Sequence, residues 1–452
     1  MYLKGSNWSM NKRRKPIKFG RILVLIILIA GGVYVNQVIV PSTPPLFIPT
    51  PTATRAPESY ITEAQRLENE GKFNQAINLY NEAVQSDPRN PATYVSLARL
   101  LIYTGKYEDA VKNAENALLL NGNNSSAHAI RGWALGLQGD YLGAEAAFTK
   151  ALELDQNNAD AYAYRAEVLA NQTQAGTGSI GSLDKAVEAS RNAQTIAPNS
   201  LSTHRARGIV LELTGNYADA AREFEQAVAI NGNIADLHLA LGRNYRYLEQ
   251  YDKAVEEFNR ANALNPGDPL PNYYISRTYA AIGEYAKAIQ FAEQSLKVDP
   301  TDPYMYGNLG TMYYKNKQFE DAIKPLKMAV SGGTADSGEE VKGLPLDYGR
   351  VAEFYFTYGL ALANLGMCGD ALPISQTLLE GVKNDEVSVF NAQEIVNICS
   401  GNPTSPDKLN PVNTTPGVPS EADMEKTPDK GKGTPVPKIS KSTPVPTAEN
   451  AK

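Results

Sequence analysis

The chain has 452 residues and a formal net charge of −6, with 20% charged residues of both signs. That length accommodates two or three ordinary domains or one extended repeat array, and so mild a negative charge gives no sign of nucleic-acid binding by the molecule as a whole. Three His and two Cys leave little from which to build a His/Cys metal centre or a His-dependent nucleophile. No catalytic residue, cofactor or metal ligand is therefore assigned, and the chain reads as a non-enzyme.

Residues 1–21 form a basic segment, with Lys4, Lys12, Arg13, Arg14, Lys15, Lys18 and Arg21 ahead of an apolar run. The run extends from Ile22 to Val35 and resumes at Val38–Val40 past Asn36 and Gln37. The stretch from Phe19 to Val40, about 22 residues, suffices to cross a bilayer core, so residues 22–40 are predicted to be a transmembrane helix. No basic residue follows until Arg55, and this positive-inside asymmetry leaves the N-terminus cytoplasmic and exports the rest. Small residues at Ala30-Gly31-Gly32 keep a cleaved signal peptide, and hence a secreted protein, as the alternative. Residues 41–57 (PSTPPLFIPTPTATRAP) form a Pro/Thr-rich stalk, because Pro fixes φ and removes a backbone donor. At ~3.1 Å per residue, the stalk spans about 50 Å when extended.

From residue 58 to 400 the sequence repeats. Alanines recur at Ala76, Ala110, Ala144, Ala186, Ala220, Ala254, Ala288, Ala322 and Ala371, mostly 34 residues apart. An aromatic stands three residues before most of them, as at Phe73, Tyr107, Tyr141 and Tyr217, and Gly often stands five before, as at Gly71, Gly105 and Gly139. A second alanine follows seven later in nearly every unit, as at Ala83, Ala117 and Ala151, and units often close on Pro, as at Pro88, Pro266 and Pro300. Small residues at seven-residue spacing let helices approach closely, while Gly breaks the first helix and Pro stops the second. A period of this length signals a solenoid.

These positions in register resemble the tetratricopeptide repeat (TPR) family. The resemblance implies an all-α, right-handed superhelical solenoid of antiparallel helix pairs, with nine units: 57–90, 91–124, 125–158, 159–200, 201–234, 235–268, 269–302, 303–336 and 352–383. Repeat four carries a Gly/Ser loop at Ala175–Ser182, and Gly332–Asp347 interrupts the array before repeat nine. Pro325 and Pro373 are expected to kink or shorten the second helices of repeats eight and nine. Residues 385–399 read as an amphipathic helix that covers the last apolar face. The tail, residues 401–452, is rich in Pro, Thr, Lys and Ser with few large apolar residues and reads as disordered.

The resemblance further implies a concave binding groove, lined by positions 2, 5, 9, 12 and 13 of each first helix. Carried onto this chain, those positions include Arg99, Ile102 and Tyr103 of repeat two, and Trp133 and Leu137 of repeat three. They continue with Arg243, Arg246 and Tyr247 of repeat six, Tyr273 and Arg277 of repeat seven, Tyr304, Tyr314 and Lys315 of repeat eight, and Phe356 of repeat nine. The residues named from repeats six to eight are Arg, Lys and Tyr with no carboxylate among them, and Arg and Tyr dominate binding hot spots. A protein or extended peptide is the expected partner, an acidic one fitting best, unless acids such as Glu256 or Glu284 neutralise the patch. The groove's aromatics leave open a second reading, a glycan-handling component of cell-envelope or exopolysaccharide assembly. The Lys and Asn pattern of the family's carboxylate-clamp members is absent: Ile61 and Gln65 stand where it would be needed.

His128, His204 and His238 fall at the same position of three different repeats, which suits ring packing better than shared metal ligation. Cys368 begins the second helix of repeat nine and Cys399 ends the covering helix. Neighbouring helices run antiparallel, so a disulfide between the two would staple the end of the array; two separate thiols remain the alternative. Asn123-Asn124-Ser125 and Asn171-Gln172-Thr173 match glycosylation sequons, a pattern common by chance.

Overall fold

The structure, a computed structural model, describes residues 19–39, 56–178 and 180–401. The basic segment up to residue 18, residues 40–55 of the stalk region, and the tail from residue 402 lie outside the described residues. The chain divides into two units between Ala56 and Pro57.

The first unit holds helix α1 (Phe19–Tyr34), followed by a π-helical segment, Val35–Ile39. Its aliphatic side chains are exposed, Leu25 and Ile26 among them. Within the span expected as one helix, the α-helix stops at Tyr34 and passes directly into the π segment that contains Asn36 and Gln37; Val40 lies outside the described residues. No described helix is long and apolar enough to cross a membrane.

The second unit is a run of helix pairs. They are α2 (Pro57–Asn69) with α3 (Phe73–Ser86), α4 (Pro91–Tyr103) with α5 (Tyr107–Leu120), and α6 (Ser125–Leu137) with α7 (Tyr141–Leu154). Next come α8 (Ala159–Gln174) with α9 (Ser182–Ile196), α10 (Leu201–Leu213) with α11 (Tyr217–Ile230), and α12 (Ala235–Tyr247) with α13 (Tyr251–Leu264). The last three are α14 (Leu270–Ala281) with α15 (Tyr285–Val298), α16 (Pro303–Lys315) with α17 (Phe319–Ser331), and α18 (Arg350–Asn364) with α19 (Cys368–Gly381). Helix α20 (Glu386–Cys399) closes the series.

Each boundary has a local cause. Asn90, Asn124, Asn158, Ser200, Asp302 and Asp385 cap first helices or α20 by accepting a hydrogen bond from a free backbone N–H. Inside most pairs the turn needs a left-handed residue. Glycine supplies it at Gly105 (φ +72°) and Gly215 (φ +76°), whereas repeats six and eight use Glu249 (φ 58°) and Lys317 (φ 62°). Within a pair, the recurring alanines are fully buried, and a glycine on the first helix receives a ring from the second. A Cβ on Gly242 would lie 2.6 Å from the Phe258 ring, so only glycine permits that approach.

The two prolines do not shorten their helices: α17 runs continuously through Pro325 and α19 through Pro373. The insertion after α17 contains a two-residue antiparallel hairpin, β1 (Gly333–Thr334) with β2 (Glu340–Val341). Val341 is buried against Leu326 and Ala329, and the Leu344 N–H donates to the Ala329 carbonyl. Stacking persists across this insertion, with Tyr304 of α16 edge-on to Phe354 of α18 at 6.0 Å. Cys368 and Cys399 are joined in a disulfide that ties α20 to the start of α19.

The array also touches itself at long range. Asn233, in the turn before α12, donates from Nδ2 to the carbonyl of Asn69 at the end of α2, 2.7 Å away. Phe73 and Tyr103 pack against the apolar clusters of both repeats one to four and repeats five to eight. Repeats one to six thus curl until the two ends of the arc meet.

Candidate functional site

The curl encloses a cavity of about 510 Å³, lined by residues of repeats two to seven. Tyr103, Leu137, Arg243 and Tyr247 reach it from the expected groove positions, together with Glu167, Arg205, Glu212 and Asp236. Arg205 forks onto Glu167 with bonds of 3.0 and 3.1 Å, gives a third bond to Asp236, and lies over the Trp133 ring at 5.7 Å. Burial opposes its charge, but Glu167 and Asp236 outweigh that and drive the guanidinium pKa well up. Arg243 forks onto Glu212 at 2.8 and 3.1 Å. These arginines are therefore neutralised by carboxylates from neighbouring repeats. Glu256 and Glu284 do not perform this role; they pair with Arg260 and Lys287.

The remaining residues of this half show how far the groove is built from rings. Arg99 reaches Glu68 at 3.3 Å. Tyr103 stacks on Phe73 at 6.0 Å and stands edge-on to Trp133 at 5.6 Å; burial pushes its hydroxyl up to about 12. Trp133 is wholly buried and stacked on Tyr164 at 4.2 Å, and Tyr247 stacks on Tyr217 at 4.3 Å. Trp133 therefore supports the surface from beneath instead of presenting itself to a partner.

Repeats six to nine gather a second, differently balanced group. The Arg277 side chain is 9% exposed, lies over the Tyr273 ring at 5.8 Å, and has one ion-pair contact, Nη2 to Glu353 at 3.8 Å. Arg350 pairs with the same Glu353. Burial raises the Glu353 pKa, but Arg350, Arg277 and Lys315 outweigh it and hold the carboxyl at about 2. Lys315 is lowered by burial and by Arg277, Arg350 and Arg246, and Arg277 is lowered by burial and by Arg350 and Arg246. Arg246 lies over Tyr247 at 5.9 Å. Tyr273 is fully buried, and Phe356, 6% exposed, is part of the apolar core under α20. Tyr314 tilts against Phe319, its hydroxyl pushed up to about 12 by burial.

Six charged residues that matter here, Glu167, Arg205, Glu212, Asp236, Arg350 and Glu353, were not among the groove residues expected above. Five of them obey the same positional rule, since Glu167, Arg205 and Glu212 occupy positions 9, 5 and 12 of repeats four and five. Asp236 and Glu353 take position 2 of repeats six and nine. Arg350 precedes the expected start of repeat nine, because α18 begins two residues earlier than the periodicity indicates. The histidines are held singly: His204 meets Glu223 at 2.7 Å, and His128 meets the Gly122 carbonyl at 3.0 Å. His238 is likewise held between Glu257 and the Gly232 carbonyl. They thus tie a first helix to neighbouring elements, beyond filling space in place of a ring.

An array of helix pairs that lines a cavity with one face of its first helices is a helical-repeat solenoid of the interaction type. The chain belongs to the tetratricopeptide repeat family: family models described as Tetratricopeptide repeat match residues 69–134, 125–158, 147–178 and, in three overlapping stretches, 205–340. Solved structures with similar folds include one titled for the functional characterization of Pseudomonas aeruginosa pilF, at 18% identity and TM-score 0.39, covering 46% of this chain and 91% of that one. MamA protein aligns at 24% identity and TM-score 0.27, over 38% of this chain and 90% of that one. A tetratricopeptide repeat protein from Parabacteroides merdae aligns at 14% identity and TM-score 0.36, over 57% and 98%. No curated protein matches the chain by sequence.

Proposed function

We propose that this protein is a membrane-anchored, extracytoplasmic TPR scaffold that holds an extended segment of a protein partner on the inner face of its first helices, without catalysing a reaction. The observation that carries the reading is the 510 Å³ cavity, to which groove positions of successive repeats contribute. An acidic segment suits the inner face of repeats six to nine, where Arg246, Arg277, Lys315 and Arg350 gather around Glu353. A sugar would need free aromatic faces, yet Trp133 and Tyr247 already stack on Tyr164 and Tyr217. Anchoring is favoured by the exposed apolar side chains of α1 and the basic residues before it. Export agrees with the Cys368–Cys399 bridge, a bond typical of oxidising compartments.

The test places a photo-crosslinking residue at Tyr247, inside the arc, or at Leu142, which is 88% exposed. The reading expects a discrete adduct in native membranes from Tyr247 and none from Leu142. Equal yields from both positions would overturn it. Protease added to intact cells should degrade the repeat array; full protection until lysis would place it on the other side.

A further inference from the structure

The cations of repeats six to nine do more than colour the groove. Arg246, Arg277, Lys315 and Arg350 act on one another and share one close carboxylate, Glu353. Glu353 pairs with Arg350, and Arg277 reaches it only at 3.8 Å, which leaves Arg246, Arg277 and Lys315 as three cations gathered beside it. Four of the nine buried side-chain polar atoms without a hydrogen-bond partner among the described residues fall here: Arg246 Nε, Arg277 Nε, Arg277 Nη1 and the Tyr273 hydroxyl. A buried donor without an acceptor costs about 1–3 kcal/mol, and more when it is charged, so such a concentration is costly unless an anion supplies the acceptors. The opposite half of the arc differs in degree: Arg205 and Arg243 there are forked onto carboxylates of their own chain, although Arg205 Nη1 and Trp133 Nε1 are also without a hydrogen-bond partner.

From this geometry we infer that Arg246, Tyr273, Arg277 and Lys315 form a binding site for a tetrahedral oxyanion of two negative charges, a phosphoryl or sulfuryl group. A single carboxylate offers two oxygens and one charge, fewer acceptors than Arg246, Arg277, Tyr273 and Lys315 have donors. A phosphoryl group carries about two charges and three strong acceptor oxygens, which suits the four unpartnered donors and the Lys315 ammonium. The Arg277 guanidinium is held over Tyr273 and touches Glu353 only through Nη2, so its Nε edge and Nη1 remain to donate. Glu353 fixes Arg350 and steadies Arg277 without filling the site. The inference rests on the proposed groove, and specifies the chemistry that its second half takes.

The experiment titrates the full chain, in detergent micelles at constant ionic strength and pH 7.5, with inorganic phosphate, phenyl phosphate or acetate. Calorimetry reads the affinity for the unaltered chain, Arg277→Met and Arg246→Met. Phosphate or phenyl phosphate should bind at least tenfold more tightly than acetate, and each substitution should weaken that binding at least tenfold. Tighter binding of phenyl phosphate assigns the group to a phosphomonoester, whereas binding of inorganic phosphate alone assigns it to the free ion. Should Arg277→Met lose its helical circular dichroism, Lys315→Met serves instead. Equal affinity for acetate and phosphate, or phosphate binding unchanged by the substitutions, overturns the inference. A Tyr247 crosslink that persists in that case leaves the proposed scaffold standing, so the two failures are distinguishable.

Discussion

Replacing Cys399 by Ser should loosen the end of the array and little else. The disulfide closes a loop of 31 residues between Cys368 and Cys399, and the loop-closure treatment gives about 3.5 kcal/mol for its removal. That figure is large beside what α20 gains by burying Ile395, the largest of its fully buried side chains, at roughly 2 kcal/mol. Helix α20 lies at one end of the helix series, packed chiefly against α18 and α19, and solenoid stability is a sum of unit and nearest-neighbour terms. The loss should therefore appear as local opening of α19 and α20, which uncovers Phe356, Leu360 and Leu378, with no general unfolding. Hydrogen exchange read by mass spectrometry is the assay. At about 1.4 kcal/mol per tenfold change, amides of α20 should lose roughly 300-fold in protection, while those of α12 and α13 change less than threefold. Protection lost equally across all repeats would refute the nearest-neighbour reasoning, and unchanged α20 protection would refute the disulfide's role.

Three further outcomes follow from single positions. Lys317→Gly should raise stability by about 0.5–1 kcal/mol, because Lys317 holds φ 62° where most repeats use glycine; a fall in thermal midpoint would contradict this. Gly242→Ala should cost about 1–3 kcal/mol, since its Cβ would stand 2.6 Å from the Phe258 ring; an undiminished midpoint would mean that the helix pair relaxes freely. Burial holds the Asp302 carboxyl up at about 6, above its ordinary 3.8. The folded chain therefore binds that proton more tightly than the unfolded chain, and stability falls as pH rises from 3.8 to 6 and stays lower above. Asp302→Asn keeps the helix cap and should remove that slope, raising neutral stability by about 1–2 kcal/mol. Equal pH slopes in denaturant titrations of the two proteins would refute the assignment.

The repeat was legible because its signals are local: Ala76 to Ala322, the turn glycines and the capping residues all act within one helix pair. The position rule for the groove carried equally far, and the carboxylates it reaches in repeats four and five follow it as closely as the expected arginines. What period alone does not encode is curvature. Whether Trp133 faces a partner or lies beneath Arg205 depends on how tightly successive pairs turn, a sum of small packing differences spread over six repeats. The meeting of Asn233 with Asn69 spans 164 residues and leaves no mark in either local sequence. The same limit hid the partners of Arg243 and Arg277: acids inside their own repeats, such as Glu256 and Glu284, were the natural candidates, yet the bonds go to Glu212 and Glu353 on adjoining or more distant first helices.

This difference in pairing gives the two halves of the inner face separate tasks. Around the cavity, Arg205 and Arg243 are outnumbered by Glu167, Glu212, Asp236 and Asp268, so that lining offers an anion no attraction and occupancy there is decided by shape and by displacement of water. Between Arg246 and Arg350 the imbalance is long-ranged compared with a hydrogen bond and acts over about a Debye length, ~8 Å at physiological salt. An anionic segment would therefore be drawn first to repeats six to nine and only then fitted along repeats two to six. Raising ionic strength should accordingly slow association with a partner while leaving its dissociation rate nearly unchanged, a split that surface plasmon resonance can read. Equal salt effects on both rates would mean that the charge cluster takes part in the final contact as strongly as in capture.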